Sequence, residues 1–311
     1  MTAIRRQSTL ATSVGTAGVE LHGGAHTRLV LRPAPANTGI VFVRSDVTDR
    51  DNRVHADPAS VVSTRNSTTL GNAAGVEVAT VEHLMAALAS VGLDNLEVEL
   101  SGREIPALDG SAEPFLDMID RAGIVPQSAP RRYVRVLRRV RVEDGHCYAE
   151  VSPSHRFELD VSIDFDDRAI GESRLEIAPD ARSFRDDIGR ARTFARMSDV
   201  RALKAAGLSK GGSLDNAVVV EDGRVLNPEG LRYSDEFVRH KVLDLMGDLY
   251  LGGPMVARVR THCGGHALNH ALMTALYADP DAWVFEGGPA VADAEPAPLA
   301  QTLAVPLLAS A

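Results

Sequence analysis

Cysteine is nearly missing from this chain. Cys147 and Cys263 are the only two in 311 residues, far apart and in no Cys-x-x-Cys pattern. That excludes a disulfide framework and a thiolate zinc knuckle. Lysine is almost as scarce: of 33 basic residues only Lys204, Lys210 and Lys241 are lysine, and the rest are arginine. Positive charge is in deficit overall, with 42 acidic residues and a net charge of -9. Phosphate-backbone binding needs a basic surface, so no nucleic-acid partner is expected. No apolar run approaches membrane-spanning length, and MTAIRRQSTL at the N-terminus lacks the apolar core of a signal peptide. A cytoplasmic location is expected. The P-loop and GxGxxG patterns are absent, and no nucleophilic role is expected of a Ser, Cys or Lys. What is present is globular: 44 % hydrophobic and 24 % charged residues, in a chain long enough for two average domains.

Strands are predicted at 27–32 and 40–44, where apolar residues alternate or run between turn residues. Thr80 is placed to cap a helix over 81–91, with Gly92 as its left-handed stop. A strand over 95–100 follows, and Asp109-Gly110-Ser111 turns into a helix over 112–122 that Gly123 ends. Residues 125–132, with two prolines and no periodicity, read as a linker between units at 1–126 and 127–286. Further strands are expected at 133–142, 147–151 and 157–165. Ser198 is placed to cap a helix that runs to Ala206 and stops at Gly207. Residues 217–221 then meet 224–226 across an Asp222-Gly223 hairpin turn. Helices over 235–250 and 266–278 close the fold, and 287–311 reads as a mobile Ala/Pro-rich tail. No internal sequence repeat is evident. Clustered strands and helices, without βα alternation, indicate an α+β fold in two domains.

The helix over 235–250 is the informative one. Its apolar residues fill one arc, and His240, Lys241, Asp244 and Asp248 share the other. The plain reading is a solvated face. Two details oppose it. Lysine is the unexpected basic choice in an arginine-rich chain, and it differs from arginine as a compact point charge. Asp244 and Asp248 also sit toward the C-terminus, where exposed anions cost about 0.3–1 kcal/mol each. A His/Asp pair at i, i+4 converging on one cation would offset that cost.

Glu82-His83 opens the earlier helix, where the dipole disfavours a cationic imidazole and leaves a lone pair for a metal. Glu82 by itself has an easy explanation, since carboxylates stabilise any first turn. With His240 and Asp244, however, the pair completes the ligands and general base that catalytic zinc needs. In HCGGHALNH (262–270), His266 and His270 form a rival i, i+4 pair. His22, His26, His55, His146 and His155 read as surface residues, and Gly211-Gly212-Ser213 as a turn too short to claim phosphate.

Several long segments, in order, carry a family resemblance: GVELHGG (18–24), LRPAPANTGI (31–40), TVEHLMAAL (80–88), EIPALDGSAEPF (104–115), RARTF (190–194), LRYSDEFVRHKVLDLMGDL (231–249) and GGHALNHAL (264–272). The chain resembles the zinc-dependent UDP-3-O-acyl-N-acetylglucosamine deacetylases of lipid A biosynthesis from about Thr9 to about Tyr277. The resemblance implies two similar α+β domains, helices layered on sheets, with the active site between them and an acyl-passage insert near 193–226. It implies one catalytic zinc ion on His83, His240 and Asp244, a set that would also accept Fe(II). It assigns Glu82 as general base, His266 as catalytic histidine, and Asp248 as the carboxylate orienting it. Thr193 and Lys241 match oxyanion donors, and Phe194, Leu21, Met197, Gly212 and Ser213 match substrate-contacting positions. His270 is demoted, because the family more often has an amide there.

The implied partner is a UDP-3-O-acyl-N-acetylglucosamine substrate, handled by a monomer in transient contact with a membrane surface. One tension accompanies this reading: a histidine at a helix N-terminus is biased toward neutral, so a cationic His266 depends on Asp248.

The departures fall outside the metal and acid/base set. Cys263 replaces a basic residue that could meet the nucleotide diphosphate, with Arg192 and Arg260 as the nearby charges that could substitute. Arg196 stands where an apolar passage residue is usual, Ala195 where glycine is, and Ser209 lies within GLSKGG. These departures leave two alternatives: a paralogue that binds sugar nucleotide without catalysis, or a deacetylase of another N-acetyl sugar.

Overall fold

The computed structural model describes residues 5–287, so all but the first residue of the expected 287–311 tail lies outside the described residues. Six α-helices are present among them: α1 (Glu82–Val91), α2 (Glu113–Ala122), α3 (Ala181–Asp187), α4 (Met197–Ala205), α5 (Glu236–Tyr250) and α6 (His266–Ala278). Two five-stranded sheets carry helices, α2 on the first and α5 and α6 on the second, while α4 packs on a three-stranded sheet that includes Phe194–Arg196 and Val218–Glu221, an α+β architecture.

The two sheets share one topology. In the first the spatial order is Val14–Val19, His26–Pro33, Leu96–Leu100, Ile40–Arg44, Arg53–His55. In the second it is Val140–Asp144, Cys147–Ser152, Arg258–His262, Glu158–Asp164, Glu172–Ile177. Each central strand arrives last in sequence, after a helix. It runs antiparallel to one neighbour and parallel to the other. The preceding helices, α1 and α5, thus hold equivalent places and pack on each other. A duplication absent from the residue pattern is therefore plain in the topology, because topology depends on strand burial and pairing, which many side-chain sets satisfy.

Alternation drives the strands as expected. In Leu96–Leu100 the leucines and Val98 are buried, while Glu97 and Glu99 reach out to Arg53 and Arg32. One buried cluster runs from Leu29, Leu31 and Val98 through Leu84, Leu88, Val242 and Leu245 to Val151, Leu159 and Val259. The Asp222-Gly223 turn has φ 51° and 70°, the twist a two-residue hairpin favours.

Four expectations need correction. Residues 124–130 are a strand paired antiparallel with Arg6–Leu10, so the expected boundary at 126/127 falls inside a strand. This two-stranded ribbon tolerates Pro126 and Pro130 because it has free edges and an irregular register. The strand expected over 133–142 divides into Tyr133–Val136 and Val140–Asp144, which belong to different sheets. Thr80 does not cap α1: its φ is 58° and its hydroxyl donates to Glu104 at 2.9 Å instead. Nor does Ser198 cap α4, which already begins at Met197.

Candidate active site

The polar stripe of α5 is not solvated. Every residue of this helix except Arg239 and Lys241 is buried, because the stripe faces α1 and the start of α6. A glycine permits the approach: a Cβ on Gly247 would lie 2.0 Å from the Glu82 carbonyl oxygen. No side chain fits there. The first turn of α1 is thereby pressed onto the C-terminal half of α5, and residues remote in sequence meet.

His83, His240 and Asp244 converge. One ligand atom from each lies within 4.8 Å of the other two, and all three residues are buried. The Asp244 Oδ1 atom stands 3.2 Å from His240 Nε2 and 3.6 Å from His83 Nε2, yet it accepts no hydrogen bond. His240 Nδ1 lies 3.0 Å from the Ala191 carbonyl oxygen, which can only accept, so the proton belongs on Nδ1 and the Nε2 lone pair is free. Burial lowers the His240 pKa and favours the neutral imidazole that ligates metals. Burial alone would raise the Asp244 carboxyl, but His240 and Lys241 hold it well below the usual carboxylate range. Two imidazoles, one carboxylate and an orphaned buried oxygen fit a zinc or Fe(II) ion.

An acid/base pair sits beside them. Glu82 Oε1 faces His266 Nε2 at 3.8 Å. The other Glu82 oxygen accepts from the Thr68 backbone N–H at 3.1 Å. Burial pushes the Glu82 carboxyl up to about 7, against the pull of His266. Burial disfavours a cationic His266, but Asp248, 2.8 Å from Nδ1, and Glu82 outweigh it and push the imidazole up to about 9. Asp248 therefore overcomes the helix-terminus bias at His266. It is itself held by Thr68 Oγ1 at 2.6 Å and Asn269 Nδ2 at 2.8 Å. Neither Thr68 nor Asn269 was singled out by sequence reasoning. Asn269 had a usable signal, one turn after His266 on the same helix face, whereas Thr68 lies in a loop without periodicity.

Lys241 donates to Asp244 Oδ2 at 2.8 Å, which uses one of its three protons. It lines an open cavity with Thr193, Phe194, Arg196 and His240. Thr193 is fixed by its N–H to the Gly110 carbonyl, at 2.8 Å. Gly110 is obligatory, with φ 80° and an Asn216 carbonyl oxygen 2.1 Å from where a Cβ would be. Phe194 stacks edge-on against Phe237 with centroids 4.9 Å apart.

The remaining expected residues are less concentrated. Leu21 lies against the 209–213 turn, where its carbonyl accepts from Gly211 and a Cβ on Gly212 would sit 3.7 Å from its side chain. Ser213 donates its N–H to Asn216 within that turn, and Met197 opens α4. None of Leu21, Met197, Gly212 and Ser213 lines the cavity beside His240. His270 is not in the convergent ligand group and lines a separate small cavity with Thr68 and Asp248. His26, His55, His146 and His155 are exposed as expected. His22 corrects the expectation: both of its ring nitrogens are buried without a partner. The proposed substitute charges are committed elsewhere. Arg192 is buried against Glu236, and Arg260 is paired with Asp160. Arg196 pairs with Asp199 at 2.8 Å on the cavity wall.

The chain is similar over most of its length to proteins of known family. The family profile described as UDP-3-O-acyl N-acetylglycosamine deacetylase matches residues 7–278. A UDP-3-O-acyl-N-acetylglucosamine deacetylase of Phenylobacterium zucineum is 52 % identical over 268 residues, covering 86 % of this chain and 92 % of the relative. Its namesake in Acidithiobacillus ferrooxidans is 49 % identical, covering 90 % and 92 %. That of Vibrio parahaemolyticus is 48 % identical, covering 94 % and 98 %.

Proposed function

Because the chain belongs to the UDP-3-O-acyl N-acetylglycosamine deacetylase family, we propose that it hydrolyses the acetamide of UDP-3-O-acyl-N-acetylglucosamine, the deacetylation that commits this sugar nucleotide to lipid A. The observation that carries the residue assignment is the Glu82–His266 pair, 3.8 Å apart, beside the convergent His83, His240 and Asp244. Those three residues would hold zinc, which as a Lewis acid polarises a carbonyl and acidifies water. Around them the protein does the proton work. Glu82, poised near neutrality, takes a proton from the attacking water. Lys241, with two protons to spare, and Thr193 donate to the oxyanion; one such donor is typically worth about 2.7–4 kcal/mol.

His266 has its Nδ1 committed to Asp248, so Nε2 is the proton donor aimed at the leaving nitrogen as the C–N bond breaks. The amine and acetic acid depart, and the acid ionises. Glu82 then returns its proton to His266 across the gap between them. The first turn of α1 positions the base and α6 positions the acid, so neither needs to travel.

All the groups invoked come from one chain, as a monomer requires. No helix among the described residues is long and apolar enough to cross a membrane, and the reading places the reaction in the cytoplasm. The intact acid/base set favours catalysis over sugar-nucleotide binding alone. Acetate release and metal content, compared between wild type and Glu82→Ala, test it: the variant should keep its metal and lose about 10²–10⁴ in rate. Equal rates would refute the assignment.

A further inference from the structure

Cys147 and Cys263 are remote in sequence, but strand pairing brings them together. Cys147–Ser152 runs antiparallel to Arg258–His262 with Tyr148 across from His262, so the next rung sets Cys147 across from Cys263. Both thiols are free and half-buried. Each is flanked by an imidazole. His146 Nε2 lies 3.8 Å from Cys147 Sγ, and His262 Nε2 lies 3.6 Å from Cys263 Sγ. Donor atoms of His146, Cys147 and Cys263 all fall within 4.8 Å of one another. His262 Nδ1 is engaged with Ser162 Oγ at 3.0 Å, which leaves Nε2 for the thiol side.

The spacing is that of a ligand shell. Tetrahedral zinc with bonds of about 2.3 Å to sulfur and about 2.0–2.1 Å to nitrogen puts neighbouring S and N donors about 3.6 Å apart. Both thiol–imidazole separations match this within about 0.2 Å. Thiolate donors select soft or borderline cations, and a divalent ion neutralises the two charges they bring. A cross-strand disulfide would use the sulfurs and leave both imidazoles without a role.

We propose that His146, Cys147 and Cys263 form a second metal site that takes one zinc ion, separate from the His83–His240–Asp244 centre, with His262, whose Nε2 lies 3.6 Å from Cys263 Sγ but outside the convergent three, as the neighbouring fourth donor. The absence of a Cys-x-x-Cys motif hid it, because the sheet supplies the proximity. The site also has a consequence for His266. Cys263 has φ 48°, a conformation uncommon outside glycine, and begins the Gly264-Gly265 turn that leads into α6 at His266. An ion bridging Cys263 to the neighbouring strand pins that turn at its start, which makes these residues positioning residues for His266.

Cobalt titration of the chelator-stripped full chain tests the site through sulfur ligation, which the His83–His240–Asp244 centre lacks, so the outcome is independent of the proposed activity. Two cobalt equivalents should bind, one of them giving a thiolate-to-cobalt charge-transfer band in the near ultraviolet. The double variant Cys147→Ser/Cys263→Ser should lose the band and one equivalent. The single variant His146→Ala, altered at an exposed position, should weaken that equivalent by at least about tenfold. Absence of the band in the wild type, its survival in the double variant, or a Cys147–Cys263 disulfide in protein purified without oxidant would overturn the proposal.

Discussion

Helices α1 and α5 occupy the same place in two matching sheets, but they carry their chemistry differently. α1 bears Glu82 and His83 in its first turn, and the rest of its buried length is apolar. α5 bears His240, Lys241, Asp244 and Asp248 along its middle and end. A first turn tolerates a carboxylate readily, whereas two aspartates late in a helix do not gain from its dipole. Asp244 is compensated by Lys241 and His240 of its own helix together with His83 of α1, and Asp248 by the tertiary partners His266, Thr68 and Asn269. One helix thus displays its functional groups where local physics already favours them. The other holds them against the helix dipole, with partners from its own helix, from α6 and, through His83 and Thr68, from the first half of the chain.

Breaking the α5 side should be the more damaging. Asp244→Ala removes the carboxylate shared by both imidazoles and leaves Lys241 partly buried without its partner. Metal content should fall and acetate release should drop by more than about 10⁴-fold, exceeding the loss of the base alone. Gly247→Ala attacks the contact itself. Overpacking typically costs about 1–3 kcal/mol, and here the obstacle is the Glu82 backbone. Thermal denaturation should show that loss, and Gly252→Ala, which meets side chains of Met273 and Tyr277, should be milder.

The smallest effect at neutral pH sharpens the role of Asp248. Glu82 must be ionised and His266 protonated, so kcat/KM should rise through about 7 and fall through about 9. In Asp248→Asn the His266 limb should move down toward the ordinary 6.5. Fewer molecules then carry the proton at pH 7, a loss of roughly fourfold from titration alone. An unmoved alkaline limb would remove Asp248 from this role.

Local chemistry explains what could be read early. The Asp222-Gly223 turn needs residues that tolerate positive φ, Gly92 closes α1 in the left-handed region at φ 74°, and alternation marks Leu96–Leu100. The spacing His240-x₃-Asp244-x₃-Asp248 is an intrinsic property of a helix. Residues 124–130 escaped because a strand in a two-stranded ribbon needs backbone partners more than an apolar pattern. Thr68 escaped for a related reason: its role depends on reaching Asp248 and the Glu82 carboxylate, and no local period encodes that reach.

The amino-acid order alone therefore settled the identity and spacing of groups within each helix and turn, since those depend on dihedral preferences and on 3.6-residue geometry. The folded chain decided which helix faces met. A buried polar stripe and a solvated one look alike in one dimension, and only the glycine-to-carbonyl approach of Gly247 to Glu82 distinguishes them. The same holds at one end of the second sheet, where antiparallel register placed Cys147 opposite Cys263. Register is set by burial and pairing of whole strands, a collective property that neither cysteine carries in its own surroundings.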